Sequence, residues 1–153
     1  MRVLRLSPEE GPFVLAEILE NLPAFWADRD MRALHQPVWL RQFALDAFIV
    51  REDHELVGYV LGAVTTQGLA YVHLIATRLD RRGRGLGRLL YDTFLDNARS
   101  QGARRVEAIT TTTNTGSIAF HRRLGFGADV VPDYAGPGQP RILFSLSLLP
   151  ESQ

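Results

Sequence analysis

The sequence predicts an α/β domain in which helices flank both faces of a central mixed, mostly antiparallel sheet. Three observations lead to this prediction. The middle of the chain carries apolar segments of period 2 separated by turn residues, which is typical of antiparallel hairpins. A strand at residues 69–77 is followed by an amphipathic helix and another strand, an order that requires a right-handed parallel crossover. The length suits one domain, so we expect residues 1–153 to form a single unit.

The first 45 residues predict a short strand and helices that cover the sheet. Alternation in residues 2–6 predicts the strand, and the Ser-Pro-Glu-Glu that follows is typical of a helix start. We expect this helix over residues 8–22, ended by Pro23. Its inward face would comprise Phe13, Ala16, Ile18 and Leu19. Residues 31–45 predict a second helix, broken at Pro37.

The rest of the chain predicts six strands and two helices. The strands are expected at residues 48–50, 56–66, 69–77, 105–111, 128–131 and 141–148. The helices are expected at residues 87–101 and 117–124, closed by Gly102 and Gly125. The apolar face of the first of these helices would comprise Leu89, Leu90, Phe94, Leu95 and Ala98.

Composition excludes several classes of protein. The 17 basic and 17 acidic residues balance, so no global field attracts nucleic acid. Cysteine is absent, which removes disulfides, thiolate nucleophiles and cysteine metal sites, and we expect no metal. No apolar run has the length of a signal peptide or of a membrane helix. We therefore expect a cytoplasmic protein that binds neither nucleic acid nor membrane, and a homodimer stays open.

A glycine-rich segment joins the strand at residues 69–77 to the next helix. It reads Arg82-Gly83-Arg84-Gly85-Leu86-Gly87, and Arg88 follows. Glycine permits positive φ and close approach of a ligand, and the first N–H groups of a helix favour phosphate oxygens. The segment fits neither a Walker loop nor a dinucleotide fingerprint. It therefore predicts an anion-binding loop of another kind or a tight strand-to-helix turn.

Two motifs together resemble the GNAT family of N-acetyltransferases. Arg82, Gly85 and Gly87 match the family's pattern for the CoA pyrophosphate: Arg or Gln, two residues, Gly, one residue, Gly or Ala. Residues 114–126, Asn-Thr-Gly-Ser-Ile-Ala-Phe-His-Arg-Arg-Leu-Gly-Phe, are similar to the family's Asn, Ala-or-Ser, Tyr and Gly-Phe pattern. The resemblance covers residues 69–126. It implies the GNAT acyl-CoA N-acyltransferase fold, acetyl-CoA as co-substrate, and direct attack of a primary amine on the acetyl group.

The resemblance also implies which residues bind the cofactor. The strand before the glycine-rich segment would bond the pantetheine arm, and an N–H near Ile75 would stabilise the oxyanion. The expected cofactor-binding residues are Leu74, Ile75, Ala76, Thr77, Arg82, Gly83, Arg84, Gly85, Leu86, Gly87, Arg88, Asn114 and Ser117. Asn114 has a second interpretation, as the N-cap of a helix.

Two histidines are the candidate catalytic residues. An amine attacks a thioester only as the neutral species, so a general base is needed. His73 is the candidate, because some arylalkylamine acetyltransferases of this family carry a histidine at the matching position. It shares strand parity with Tyr71 and Ile75, and its alternative is a hydrogen-bonded core residue. His121 stands where many relatives have a tyrosine that protonates the thiolate. Alternatively it only packs there, or the thiolate leaves unassisted.

The acceptor amine and two other functions stay open. In the family, the early helical region forms a wall of the acceptor pocket, although core packing explains most such aromatics. That region contains Phe25, Trp26, His35 and Trp39. Polyamines, amino acids, aminoglycosides and protein N-termini all fit the sequence, and we expect specificity in the first helices and the loop at residues 132–140. An acyl-CoA-binding sensor without turnover and a nucleotide-binding module are the alternative functions.

Overall fold

The computed structural model describes residues 2–150 and contains one seven-stranded sheet. The strands are β1 (Arg2–Arg5), β2 (Phe48–Glu52), β3 (Glu55–Val64), β4 (Leu69–Thr77), β5 (Arg105–Thr110), β6 (Gly127–Val131) and β7 (Arg141–Ser147). Their order is β1-β2-β3-β4-β5-β7-β6. Neighbours are antiparallel except for β4 and β5, which are parallel. The predicted mixed, mostly antiparallel sheet is confirmed.

Four α-helices cover the two faces of the sheet. They are α1 (Gly11–Glu20), α2 (Leu22–Trp26), α3 (Leu86–Ser100) and α4 (Thr115–Arg123). The helix α3 crosses over between β4 and β5, and buries Leu90, Phe94 and Ala98 against one face of the sheet. Segments around α1 and α2 bury Val14, Ile18, Phe25 and Leu40 against the other face. No helix in the described range 2–150 is long and apolar enough to span a membrane.

The predicted inward face of the first helix is wrong at two positions. Phe13 is 77% exposed and Ala16 is exposed, whereas Val14 and Ile18 are buried. The helix begins at Gly11, after a turn that Ser7 caps, and Gly11 packs so closely that a Cβ there would lie 1.8 Å from the Leu40 carbonyl oxygen. This contact constrains the rotation of the helix about its axis. It joins residues 29 apart in the chain, so the apolar periodicity of the helix could not predict it.

Two other helix predictions are corrected by proline geometry. Pro23 lies in the first turn of α2 instead of ending a helix, since a first-turn proline needs no N–H partner. Residues 31–45 form three 3₁₀ turns, Arg32–Leu34, Pro37–Trp39 and Ala44–Asp46, instead of a broken α-helix. In α3 the predicted apolar face is confirmed at Leu90, Phe94, Leu95 and Ala98, which are buried, and is wrong at Leu89, which is 38% exposed, while Tyr91 is buried in addition.

Candidate active site

A cleft opens where the two parallel strands separate. Strand β4 pairs with β5 only over Leu69–Val72 and Arg105–Ala108, and the later residues of the two strands are not paired with each other. The cleft has a volume of about 1050 Å³. It is lined by residues 71–77 of β4, the glycine-rich segment, the end of β5, α4 and the segment after α2. The glycine-rich segment and His73, which lie at opposite ends of the chain segment 73–88, therefore line one cavity.

A β-bulge at His73 changes which residues face each side of the sheet. Leu61 pairs with Leu74 and Gly62 pairs with Val72, so His73 is an extra residue on β4. The ring of His73 and the side chain of Leu74 both lie on the α1/α2 side, while Ile75 packs against the core under α3. The predicted parity of His73 with Ile75 is therefore wrong. A bulge adds one residue to one strand, so alternation restarts after it.

The segment after β4 forms an open helix N-terminus. Gly83 and Gly85 adopt φ of 80° and 77°, and α3 begins at Leu86 with no side chain capping it. A Cβ on Gly85 would meet no atom within 4 Å. The first N–H groups of α3 have no intrahelical partner and lie at the positive end of the helix dipole. Because they line the cleft, they fit a phosphate group.

The two glycines of the motif are required for different reasons. Gly85 has a left-handed backbone that strains other residues. Gly87 is helical, and a Cβ there would lie 2.9 Å from Cζ of Phe120 on α4. Gly87 therefore allows α3 and α4 to pack closely, and α4 is the wall that faces β4 across the cleft.

The arginines around this segment differ in their partners. Arg84 forms a two-pronged pair with Glu52, with both N–O distances 3.2 Å, and this contact lowers the pKa of that carboxyl. Arg81 pairs with Glu52, Glu55 and Asp80. Among residues 2–150 neither Arg82 nor Arg88 has an acidic partner, and the Arg88 guanidinium donates a hydrogen bond to the carbonyl of Arg123. Arg82 and Arg88 can therefore hold an anion with their side chains.

Asn114 and Ser117 lie on the opposite wall. The Asn114 side chain accepts a bond from the Ser117 N–H (3.2 Å) and donates to Thr110 Oγ1 (3.0 Å). Asn114 is therefore the N-cap of α4, as its second interpretation predicted. Both residues also line the cleft.

His73 lies at the cleft with one ring nitrogen bonded. Its Nε2–H donates to the Leu34 carbonyl at 2.6 Å, which leaves Nδ1 unprotonated. Burial lowers the pKa of His73. His73 lines the cleft, and a neutral imidazole with an unprotonated nitrogen can accept a proton from an amine.

His121 is buried with both ring nitrogens bonded. Its Nδ1–H donates to the Ser117 carbonyl at 2.8 Å, and its Nε2 accepts from the Tyr91 hydroxyl at 2.6 Å. The ring stacks on Phe144 with centroids 3.9 Å apart. Burial lowers the pKa of His121, so it is neutral at pH 7. This geometry favours the packing interpretation over the acid role.

The predicted acceptor-wall residues divide into two sets. Phe25 and Trp26 line the cleft, whereas His35 and Trp39 lie behind its lining. The Trp26 Nε1–H donates to the Tyr59 hydroxyl (2.8 Å), which donates to His35 Nε2 (2.7 Å), whose Nδ1–H donates to the Met31 carbonyl (2.7 Å). This buried chain holds the segment after α2 against the sheet.

A family comparison supports the interpretation of the cleft. The family described as "Acetyltransferase (GNAT) family" matches residues 12–126. The chain belongs to this family. An L-methionine sulfoximine/L-methionine sulfone acetyltransferase of Pseudomonas aeruginosa is 29% identical over 75% of this chain and 73% of its own length. Membership confirms the predicted class of activity, an acetyl-CoA-dependent N-acyltransferase, and does not favour the sensor.

Solved structures show the same fold at low sequence identity. Ard1 from Thermoplasma volcanium has a TM-score of 0.75 at 21% identity and covers 97% of this chain and 98% of its own. The yncA protein from Salmonella typhimurium, solved with its cofactor acetyl-CoA, has a TM-score of 0.72 at 19% identity, and the match covers 100% of this chain and 96% of that protein. These likenesses confirm the predicted GNAT-like fold.

Three residues of this GNAT cleft were absent from the sequence-based prediction. Tyr71 lies beside the His73 ring, Tyr91 donates to His121, and Arg141 begins β7 at the rim. Burial raises the pKa of Tyr71 to about 12. The alternation of Arg141 with the apolar Ile142 could have indicated that it faces away from the α3 core. Tyr91 carried no such signal, because it lies within an apolar helix face.

Proposed function

We propose that the chain transfers an acetyl group from acetyl-CoA to a primary amine inside this cleft. The observation that carries the proposal is the continuity of the cleft from the open N-terminus of α3 to His73, whose Nδ1 is unprotonated. A phosphate site at one end and a base at the other are the two requirements of direct transfer. Acetyl-CoA supplies the activated acetyl group.

We assign the pyrophosphate to the N-terminus of α3. The backbone of residues 83–88 would donate N–H bonds, with Arg82 and Arg88 adding charge-assisted bonds. Arg84 would contribute through its backbone, because Glu52 already binds its guanidinium. Gly85 lines the cleft, and a Cβ at this position would meet no protein atom within 4 Å, so the space beside it is open to a ligand.

We assign the pantetheine arm to the separated half of β4. Residues 74–77 pair with β3 on one edge, and β5 does not pair with their other edge. Backbone N–H and C=O groups on that edge need partners, which an amide-containing arm provides. The N–H near Ile75 is our candidate for stabilising the oxyanion. Asn114 and Ser117 would form the opposite wall while capping α4.

His73 is the proposed general base and acts through Nδ1. The bond to the Leu34 carbonyl fixes its tautomer, and the stack on Trp39 fixes its ring plane. It would take the proton from the attacking amine directly or through water. His121 is proposed to position Tyr91 and α4 through its two hydrogen bonds. The CoA thiolate would then leave without a proton from this imidazole.

Two finer properties stay proposals. The cytoplasmic location rests on the cysteine-free composition, which is typical of reducing compartments. The acceptor is proposed to be a small molecule or a peptide amine, and a homodimer is left open. Light scattering on the purified chain would decide the assembly state.

Calorimetry with CoA and a thiol-release assay with an amine panel test the function. Gly85→Asn should stay folded, because asparagine tolerates positive φ, and should lose CoA affinity as its side chain enters the cleft. The matched control is Gly102→Asn, since Gly102 has φ of 85° and equally open surroundings away from the cleft lining. Equal CoA affinity in both variants would contradict the site, and CoA binding without thiol release would favour the sensor.

A further inference from the structure

The two ends of the cleft contain many arginines and few acids. Among residues 2–150 its lining includes one acidic residue, Asp28. It also includes Arg29, Arg81, Arg82, Arg88, Arg123 and Arg141. Arg82 and Arg88 are assigned to the phosphate at the N-terminus of α3, Arg81 is paired with three acids, and Arg123 lies at the end of α4 beside Arg88. Arg29 and Arg141 lie away from that end, and the phosphate site does not explain them.

Arg141 lies on the sheet face that carries His73. The next residue, Ile142, and Phe144 are buried in the α3 core, so alternation directs Arg141 and Leu143 to the other face. Thr110 at the end of β5 pairs with Ile142, which puts Arg141 at the mouth where β4 and β5 have separated. Two regular strand spacings from β4 to β7 amount to roughly 10 Å, and the separation of β4 from β5 adds to that distance here. Arg141 and His73 both line this one cleft, so a ligand bound in it can contact both side chains.

The guanidinium of Arg141 is oriented but not neutralised. Its Nη1 donates to the Pro140 carbonyl at 2.8 Å, and the side chain is half-buried. None of the ion pairs within residues 2–150 includes it. Four of its five N–H donors therefore remain for a ligand, in a geometry that suits a carboxylate.

Arg29 strengthens the same charge pattern. Its guanidinium lies 5.7 Å from the centre of the Trp26 ring. With Arg29 and Arg141 opposed by Asp28 alone, this end of the cleft repels an acceptor with several positive charges. Polyamines and aminoglycosides are therefore poor acceptors for it.

We infer that the acceptor is an amino acid, whose carboxylate binds Arg141 while its amine lies at His73. The lining of the same cleft also includes Trp26, Met31, Leu34 and Ile109, which suits an uncharged, apolar side chain on the acceptor. This inference rests on the proposed transfer reaction and adds the chemical class of the acceptor to it.

A matched acceptor series tests the inference by thiol release. L-leucine, L-leucinamide and 3-methylbutylamine share a side chain and differ in the carboxylate, and spermidine represents polycations. The acid should exceed the amide and the decarboxylated amine in kcat/KM by about 10- to 100-fold, the value of a hydrogen bond to a charged group. The carboxamide also lowers the pKa of the neighbouring amine, so inherent reactivity would favour the amide, the opposite order. L-methionine and L-phenylalanine series repeat the test with other side chains.

Two variants test whether Arg141 is the residue that binds the carboxylate of the acceptor. Arg141→Gln should bring the ratio of acid to amide close to 1 while the acetyl-CoA affinity measured by calorimetry is unchanged. Arg122→Gln, an exposed change on α4 outside the cleft lining, should preserve the ratio. Equal turnover of acid and amide by the native chain, preferred acetylation of spermidine, or a ratio unaffected by Arg141→Gln would overturn the inference and leave the transfer reaction standing. Thiol release that no added amine raises above the amine-free rate would overturn the transfer reaction and the inference together.

Discussion

The imidazole of His73 lies flat against the indole of Trp39, with ring centroids 4.2 Å apart and planes 10° from parallel. On the edge of the same imidazole, Nε2–H donates to the Leu34 carbonyl. The stack and the bond together fix the ring's plane and tautomer. His73 lies on the same side of the sheet as Tyr71, which also contacts Trp39, and the bulge on β4 brings Leu74 to that side as well.

His73→Gln distinguishes the role of His73 as a base from its structural hydrogen bond to the Leu34 carbonyl. A glutamine amide can still donate to the Leu34 carbonyl, but it has no basic lone pair at the position of Nδ1. We expect kcat/KM near pH 7.5 to fall by about 10²- to 10⁴-fold, with acetyl-CoA affinity unchanged.

The pH profile supplies a second measurement for His73. Burial lowers its pKa below the ordinary value of 6.5, so native kcat/KM should rise with pH through a value under 6.5. That rise should be absent in His73→Gln. An unaltered acidic limb, or a loss of unfolding free energy with little loss of kcat, would support the core-residue interpretation instead.

His121→Phe tests the structural role of the second histidine. The change leaves the buried Tyr91 hydroxyl and Ser117 carbonyl without their partner, so we expect a loss of about 2–3 kcal/mol in unfolding free energy. The double variant Tyr91→Phe with His121→Phe should recover part of it, because both ends of one bond become apolar. Urea unfolding measures both.

The kcat of the folded His121→Phe protein tests whether His121 acts as the acid. We expect kcat within about threefold of the native value, since the neutral imidazole donates its one N–H to a backbone carbonyl. A fall of about 10²- to 10⁴-fold in kcat would restore His121 as the acid.

The arginine pattern predicts unequal contributions to CoA binding. Arg82→Gln should weaken CoA binding by about 10- to 100-fold and reduce its salt dependence, because its guanidinium is unpaired within residues 2–150. Arg84→Gln should have a smaller effect, since Glu52 holds that side chain. Calorimetry at two salt concentrations checks this. Equal losses in the two variants would mean that the Glu52 pair opens when CoA binds.

The buried histidines predict lower stability in mild acid. Burial lowers the pKa of His35, His73 and His121, so each is neutral in the fold, while the unfolded chain takes up protons below about 6.5. Stability should therefore fall as pH drops below 6.5, by up to about 1.4 kcal/mol per pH unit for each histidine. Between pH 5 and 7.5 Glu52 and Asp80 do not contribute, because contacts with arginine hold the pKa of each carboxyl below its ordinary value.

His35→Gln should flatten this pH dependence. Its control is His54→Asn, on the exposed hairpin turn, where asparagine tolerates the φ of 68°. Urea unfolding from pH 5 to 7.5 gives the slopes. A His35→Gln slope equal to the native slope would show that His35 is protonated in the fold.

The sequence by itself determined the elements and the order in which they occur. Strand alternation, the amphipathic residues after Gly87 and the turn glycines gave β2 to β7, α3 and α4 within a few residues, because these signals are local. The glycine-rich motif and residues 114–126 led to the GNAT family, and Asn114 was foreseen as a cap. The less periodic residues 8–45 were predicted poorly, because proline placement and a contact between Gly11 and Leu40 decide their geometry.

Only the tertiary structure decided the chemistry of individual side chains. Tyr91 and His121 are 30 residues apart, and Tyr59 and His35 are 24 apart. A local sequence pattern does not predict the hydrogen-bond partner of a histidine ring nitrogen. The tautomers of His35, His73 and His121 are therefore set by the fold. The bulge at His73 and the pairing of Arg84 with Glu52 across 32 residues follow the same rule. A hydrogen bond or ion pair depends on distances of about 3 Å, which strand register and helix packing set and sequence spacing does not.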